Sequence, residues 1–145
     1  EGYGLTEASP VACANPIGRA WNGTIGIPYP STELSIRDEG FNELPPWTGA
    51  GDIEKHTGEI CVRGPQVMKG YWNNAAETSK VMQDGWLKTG DIGRVDDEGF
   101  VYLIGMVVVQ GDTETRFSFW ADGKDQEAGI FQQFLDEVTP EDFAQ

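Results

Sequence analysis

Basic residues are scarce in this sequence. Ten Lys and Arg stand against 24 Asp and Glu, for a formal net charge of −14. That balance disfavours nonspecific binding to DNA or RNA, which needs cations against phosphate. It also disfavours docking on anionic lipid. A local phosphate site built from backbone N–H groups stays open. Cysteine is limited to Cys13 and Cys61, far apart and outside any CxxC pattern, so neither a zinc set nor a disulfide framework is indicated. The two read as reduced thiols of a cytosolic protein. Histidine occurs once, as His56, in a connection rich in Pro, Gly and acids. It has no evident partner for acid–base work and reads as a surface residue. No apolar run of about 18 residues exists, so no membrane-spanning helix is expected. Ser9, Ser31, Ser35, Ser79 and Ser118 lack a GxSxG context. There is no internal repeat.

The 145 residues suit one ordinary domain with a moderate core. Their character changes after Gly105. Residues 1–105 hold 8 basic and 15 acidic groups, and 106–145 hold 2 and 9, so each part carries −7. The shorter part is far more acidic per residue. This shift, and a start without Met on a motif-like run, lead to the expectation of a fragment with a foreign or frameshifted tail.

Periodicity gives a mainly β body with one short helix. Residues 1–22 read as a loop followed by irregular chain, because Pro10 and Pro16 resist helix. Short strands are expected over 23–28, 31–37 and 58–64. In the last of these, Ile60 and Val62 face one side and Glu59, Cys61 and Arg63 the other. Residues 38–57 form a long connection without regular structure. Asn74 to Met82 is a helix capped by Asn73 or Asn74. Asp96 to Gly99 reads as a hairpin turn joining 92–95 to 100–104, and Thr89-Gly90-Asp91 as a loop. In the tail, 107–109 and 115–120 pair as a hairpin. Phe131, Phe134, Leu135 and Val138 then repeat at helical spacing, and Thr139-Pro140 signals a further helix start.

Three runs could carry chemistry. In Gly2-Tyr3-Gly4-Leu5-Thr6-Glu7, glycines let backbone approach a ligand and Tyr3 offers a flat face for a base. The Thr6 hydroxyl and turn N–H groups can hold a phosphate, and the Glu7 carboxylate can hold Mg²⁺. The plain alternative is a Gly-rich turn capped by Thr. In Trp86-Leu87-Lys88-Thr89-Gly90-Asp91, a strand end places a carboxylate at a sheet rim, where it can accept from two vicinal hydroxyls. The alternative is an Asp that stabilises its own turn. Lys88 is a phosphate ligand or an exposed rim lysine. The aromatic loop from Gly64 to Trp72 has no acid–base pair and reads as packing against the sheet.

Together, in this order and spacing, the runs GYGLTEASPV (2–11), GTIGIP (23–28), TGEICVRGPQVMKGYW (57–72) and DGWLKTGDIGRVDDEGFVYLIG (84–105) resemble the adenylate-forming (AMP-binding) superfamily, and within it the long-chain fatty-acyl-CoA synthetases. The resemblance implies an α+β fold: 1–105 would belong to the β-barrel-like subdomain that closes the large N-terminal domain. It implies ATP, Mg²⁺ and CoA, and small-molecule partners in the full enzyme. A carboxylate attacks the α-phosphate of ATP to give acyl-AMP and pyrophosphate, and the CoA thiol then displaces AMP. By motif match, Tyr3 would stack near adenine and Thr6 contact phosphate. Glu7 would bind Mg²⁺, Asp91 would hold the ribose hydroxyls, and Gly2 and Gly4 would shape the nucleotide and acyl pocket. The parent enzyme would be cytoplasmic, with peripheral membrane association possible. The sequence departs from the family in three ways. The upstream phosphate loop has no counterpart. Met106 stands near the position of a ribose-contacting Arg, and no lid lysine follows. The 38–57 connection is long. Residues 106–145 instead resemble an RNase H-like, RecB-like nuclease, with the seam near Tyr102, and no nuclease site can be assigned. Two further readings stay open: a noncatalytic binding module, and an aryl-acid CoA ligase of the same superfamily.

Overall fold

Alternation sets the first strand pair. Leu34 and Ile36 of β4 (Glu33–Arg37) stand opposite Val62 and Ile60 of β5 (Gly58–Arg63) in an antiparallel register. All four point to one face. In the computed structural model, which describes residues 1–20, 22–110 and 113–118, that face is the core. Ile36, Ile60, Val62 and Val101 are fully buried there. Ala8, Ala12 and Cys13 pack onto them from the N-terminal segment, and their small side chains allow its backbone to lie close to the sheet.

The main sheet runs β4-β5-β7-β8-β9, with β6 paired to β7. Here β6 is Met82–Gln83, β7 Trp86–Val95, β8 Val101–Gln110 and β9 Thr113–Ser118. The hairpin between β7 and β8 turns where expected, with the Asp96 carboxylate accepting from the Glu98 and Phe100 N–H groups at 3.1 and 2.8 Å. The helix α1 (Ala75–Val81) is capped by the Asn74 side chain, which accepts from Glu77 N–H at 3.2 Å. Pairing across β8 and β9 joins Val107 to Arg116 and Val109 to Glu114, which is the expected tail hairpin at the level of the backbone. The boundary expected between 105 and 106 falls inside β8. The helix expected near Phe131, the helix start at Thr139 and most of the nuclease-like stretch lie outside the described residues.

Three readings are corrected. The strand expected over 23–28 is confined to Ile27–Pro28. Residues 1–22 are not merely loop and irregular chain. They supply β1 (Gly2–Gly4) and β2 (Val11–Ala14), which with β3 (Ile27–Pro28) form a second, three-stranded sheet. Pro10 and Pro16 flank β2 rather than interrupt it, so they exclude helix without excluding strand. A bulge between Tyr3 and Gly4 absorbs the irregular spacing. Residues 89–91 are not a loop either; they lie within the ten-residue β7. The 38–57 connection carries one short 3-10 turn, Ile53–His56, and is pinned to the sheet where Trp47 N–H donates to the Val95 carbonyl at 2.8 Å. The second sheet is tied on by Ile25 N–H to the Val101 carbonyl and Val101 N–H to the Gly26 carbonyl, at 2.9 and 2.8 Å. Gly26 is obligatory there: its φ is +90°, and a Cβ would stand 2.1 Å from the Ala14 backbone.

Opposite the core, the outer face of β4 and β5 is also covered. The Arg37 and Arg63 guanidiniums stack on Trp86 at 4.8 and 4.4 Å, and Cys61 beneath is fully buried. Among the described residues no helix is long and apolar enough to cross a membrane.

Candidate functional site

The pairing of β5 with β7 slips once. Cys61 faces Lys88, but Glu59 faces Ile92. Thr89, Gly90 and Asp91 therefore stand against the single residue Ile60, and the strand bulges outward. Side chains satisfy the backbone groups that this slip displaces. The Thr89 hydroxyl donates to the Ile60 carbonyl at 2.7 Å and accepts from Asp91 N–H at 3.1 Å. Gly90 N–H donates to Glu59 Oε1 at 2.9 Å. Lys88 Nζ lies 3.9 Å from Glu59 Oε2, so this lysine is paired and half-buried rather than a free rim cation.

The bulge aims Asp91 at the other sheet. There Tyr3, in the middle of β1, donates its hydroxyl to Asp91 Oδ2 at 2.5 Å. This bond joins the first and second runs across 88 positions of sequence. Burial, reinforced by the hydrogen bond to Asp91, pushes the Tyr3 phenol far above its usual value, so it stays a donor. Burial also raises the Asp91 carboxyl, while the Tyr3 hydroxyl works against that rise. A half-buried carboxylate with one oxygen engaged keeps acceptor capacity for a ligand hydroxyl.

Thr6 and Glu7 follow on a 3-10 turn, Thr6–Ala8, with Thr6 exposed and Glu7 half-buried. The loop from Gly64 to Trp72 lies against this turn. Met68 N–H donates to the Glu7 carbonyl at 2.8 Å, and the Tyr71 hydroxyl to Glu7 Oε1 at 2.8 Å. The aromatic loop thus does more than pack on the sheet. Tyr71, Thr89 and Glu59 join this candidate site through their contacts, and sequence reasoning missed them. The signals were faint: an aromatic ending a Gly-bounded loop, a Thr before Gly-Asp, and a Glu and a Lys on facing strands. Gly4 is required by the chain itself, since a Cβ there would stand 1.6 Å from the Pro10 carbonyl oxygen. A Cβ at Gly2 would meet only the Cys13 carbonyl oxygen, at 3.6 Å.

A hard oxygen donor such as Glu7 suits Mg²⁺, which commonly takes one or two carboxylates and completes its shell with water and substrate phosphate. Among the described residues no group of three or more His, Cys, Asp or Glu gathers to hold a metal without such a substrate. His56 stays apart from this region: its Nδ1 lies 2.9 Å from the Pro45 carbonyl oxygen. Cys13 and Cys61 are free and buried, and burial pushes both thiols up to about 12. They are inert packing groups.

Residues 1–72 match the family model of AMP-binding enzymes. A long-chain-fatty-acid–CoA ligase of Bacillus subtilis is 55% identical over 104 residues, covering 71% of this chain. The chain belongs to the AMP-binding enzyme family. A long-chain-fatty-acid–CoA ligase of Escherichia coli is 43% identical over 116 residues, 77% of this AMP-binding chain. The chain spans only 17% and 19% of the lengths of these two relatives. Among solved structures, the O-succinylbenzoate coenzyme A synthetase of Bacillus subtilis, in complex with ATP and a magnesium ion, matches with a TM-score of 0.62 at 31% identity. That match covers 79% of the AMP-binding chain and 23% of the synthetase.

Proposed function

We propose that this chain is the nucleotide-holding part of an ATP-dependent long-chain fatty acid–CoA ligase. The Tyr3–Asp91 contact carries this reading, because it brings two separated runs to one place with complementary roles. Tyr3 would offer its ring to adenine while its hydroxyl steadies Asp91, and Asp91 would accept from the ribose hydroxyls. Thr6 would meet phosphate from the exposed turn. Glu7 would hold Mg²⁺, which offsets phosphate charge and so lets a net-acidic chain bind a nucleotide. Gly2 would leave room at the same rim, and Gly4 would shape it by letting the β1 backbone lie against Pro10.

In the whole enzyme the acid would be adenylated with loss of pyrophosphate, and CoA would then take the acyl group. No described residue is assigned to CoA. Rate in such a reaction depends on preorganised groups around the reacting phosphate, and this chain carries only part of the set that the family implies. It is expected to bind nucleotide and to form no detectable acyl-CoA alone. Two buried thiols fit a reducing cytoplasm, with membrane contact only peripheral. We read 1–105 as the ligase part and 106–145 as a divergent acidic tail, of which 106–110 and 113–118 continue the main sheet.

Calorimetric titration with AMP and with Mg²⁺·ATP tests this reading. Saturable binding that is weakened by about tenfold or more in Asp91→Ala supports it. No binding at millimolar nucleotide would favour a noncatalytic scaffold, and turnover by the chain that Glu7→Ala abolishes would contradict the limit on catalysis. An aryl-acid CoA ligase is the second reading, favoured by the O-succinylbenzoate synthetase match at 31% identity. The 55% identity to a long-chain ligase weighs toward fatty acids.

A further inference from the structure

The bulge in β7 has a cost that the strand ladder does not cover. Gly90 N–H has left its place in the pairing with β5, and an unpaired N–H in a half-buried position destabilises the conformation that contains it. Glu59 supplies the replacement. Its Oε1 accepts the Gly90 N–H at 2.9 Å, and its Oε2 faces Lys88 Nζ at 3.9 Å. The lysine offsets the charge of a carboxylate that is only 24% exposed. A carboxylate acceptor makes a stronger bond to N–H than a neutral one. Thr89 fixes the other side of the bulge through Ile60 and Asp91 N–H. The Asp91 side chain leaves the strand from this braced backbone and meets Tyr3.

We infer that Glu59 is a positioning residue: its carboxylate holds the Thr89–Asp91 bulge in the course that presents Asp91 to a nucleotide ribose. The inference rests on the reading of Asp91 as the ribose acceptor. Glu59 touches no ligand in this scheme and acts only through Gly90. A bulge held by strand pairing alone would not depend on it.

The test uses the 145-residue chain and two readouts. Amide exchange followed by NMR reports the brace. Glu59→Ala is expected to speed exchange at Gly90 by roughly tenfold or more, the loss of one charge-assisted bond. Glu59→Gln keeps an acceptor oxygen and should retain most of the protection. Glu59→Asp keeps the charge beside Lys88 but falls one methylene short of Gly90, and serves if the alanine variant does not fold. Preference for AMP over 3′-deoxy-AMP reports the consequence. Wild type should prefer AMP by roughly tenfold, Glu59→Ala and Glu59→Asp should bring the ratio close to one, and Glu59→Gln should restore most of it. Unchanged Gly90 exchange in both the alanine and aspartate variants overturns the inference. So does a preference that Asp91→Ala abolishes but Glu59→Ala and Glu59→Asp leave intact. A wild type without preference, or a preference that survives Asp91→Ala, overturns the Asp91 reading and the inference with it.

Discussion

Gly2 and Gly4 look alike in the sequence and differ in the fold. The Gly4 backbone is in contact with Pro10, so a methyl group there forces the β1–β2 bulge apart. Gly4→Ala is expected to cost at least about 2 kcal/mol, read as a lower urea midpoint at constant slope. Gly2→Ala meets one backbone oxygen at ordinary contact distance and should change stability by no more than about 0.5 kcal/mol. Any loss of nucleotide affinity in that variant then reports the ligand rather than the fold. Asp91 gives a second residue-level prediction. Burial raises its carboxyl above 3.8, so the folded chain holds that proton more tightly than the unfolded chain does. Its contribution to stability is therefore fully present below pH 3.8 and is lost as pH rises through the raised folded value. At neutral pH the charged group is a burden carried for function. Asp91→Asn keeps an acceptor for Tyr3 without the charge. It should melt above wild type at pH 7, lose that advantage as the wild-type carboxyl protonates in acid, and bind AMP weakly. A variant that melts below wild type at pH 7 would refute this account.

The elements that obey a simple period were legible, and those shaped by local exceptions were not. The strands at 33–37 and 58–63 alternate cleanly, and the Asp96–Gly99 turn carries its own acceptor. The helix was legible from its cap and its run of helix formers, and uncapping tests how much that cap contributes. Asn74→Ala should cost about 1 kcal/mol. The Thr78 amide, bonded to the Asn74 carbonyl at 3.0 Å, should exchange faster. An unchanged midpoint would mean that the helix is held by the Tyr71–Thr78 bond instead. By contrast β1 and β2 are short, rich in glycine and alanine, and bordered by proline. Their strand character comes from pairing with each other and from packing small side chains on Ile36 and Val62. No window of the sequence contains that partner. The Thr89–Asp91 bulge was read as a loop for the same reason: Gly90 and Asp91 are turn residues until Glu59, 31 positions away, accepts the displaced N–H. Tyr3, Thr6, Glu7 and Asp91 were legible as site candidates because each carries its chemistry in its own side chain. Glu59, Thr89 and Tyr71 act through partners elsewhere in the chain.

At the scale of the whole molecule two opposed tendencies meet. Two of the sheet edges, β3 and β4, are protected. Glu33 and Arg37 are charged residues on edge strand β4, the Arg37 backbone also forms an isolated β-bridge with Glu43, and Pro28 ends the short edge strand β3. The surface is less protected: Val11, Ile17, Ile27, Tyr29, Tyr71 and Trp72 are all exposed, Trp72 at 91%. The restraint on association is then the net charge of −14. That restraint has two controls, pH and salt. As pH falls toward the isoelectric point near 4.2, repulsion vanishes while the apolar surface is unchanged. Light scattering should show a single small species at pH 7 in low salt and growing particles as pH 4.2 is approached. Salt separates charge loss from acid unfolding. At pH 7, raising ionic strength to about 1 M shortens the screening length to about 3 Å, which removes repulsion and leaves every carboxyl ionised. Growth under that condition assigns the restraint to charge. If salt has no effect at pH 7 and growth appears only with loss of the near-ultraviolet circular dichroism signal in acid, the exposed residues are not adhesive in the folded chain, and unfolding is the source of the association.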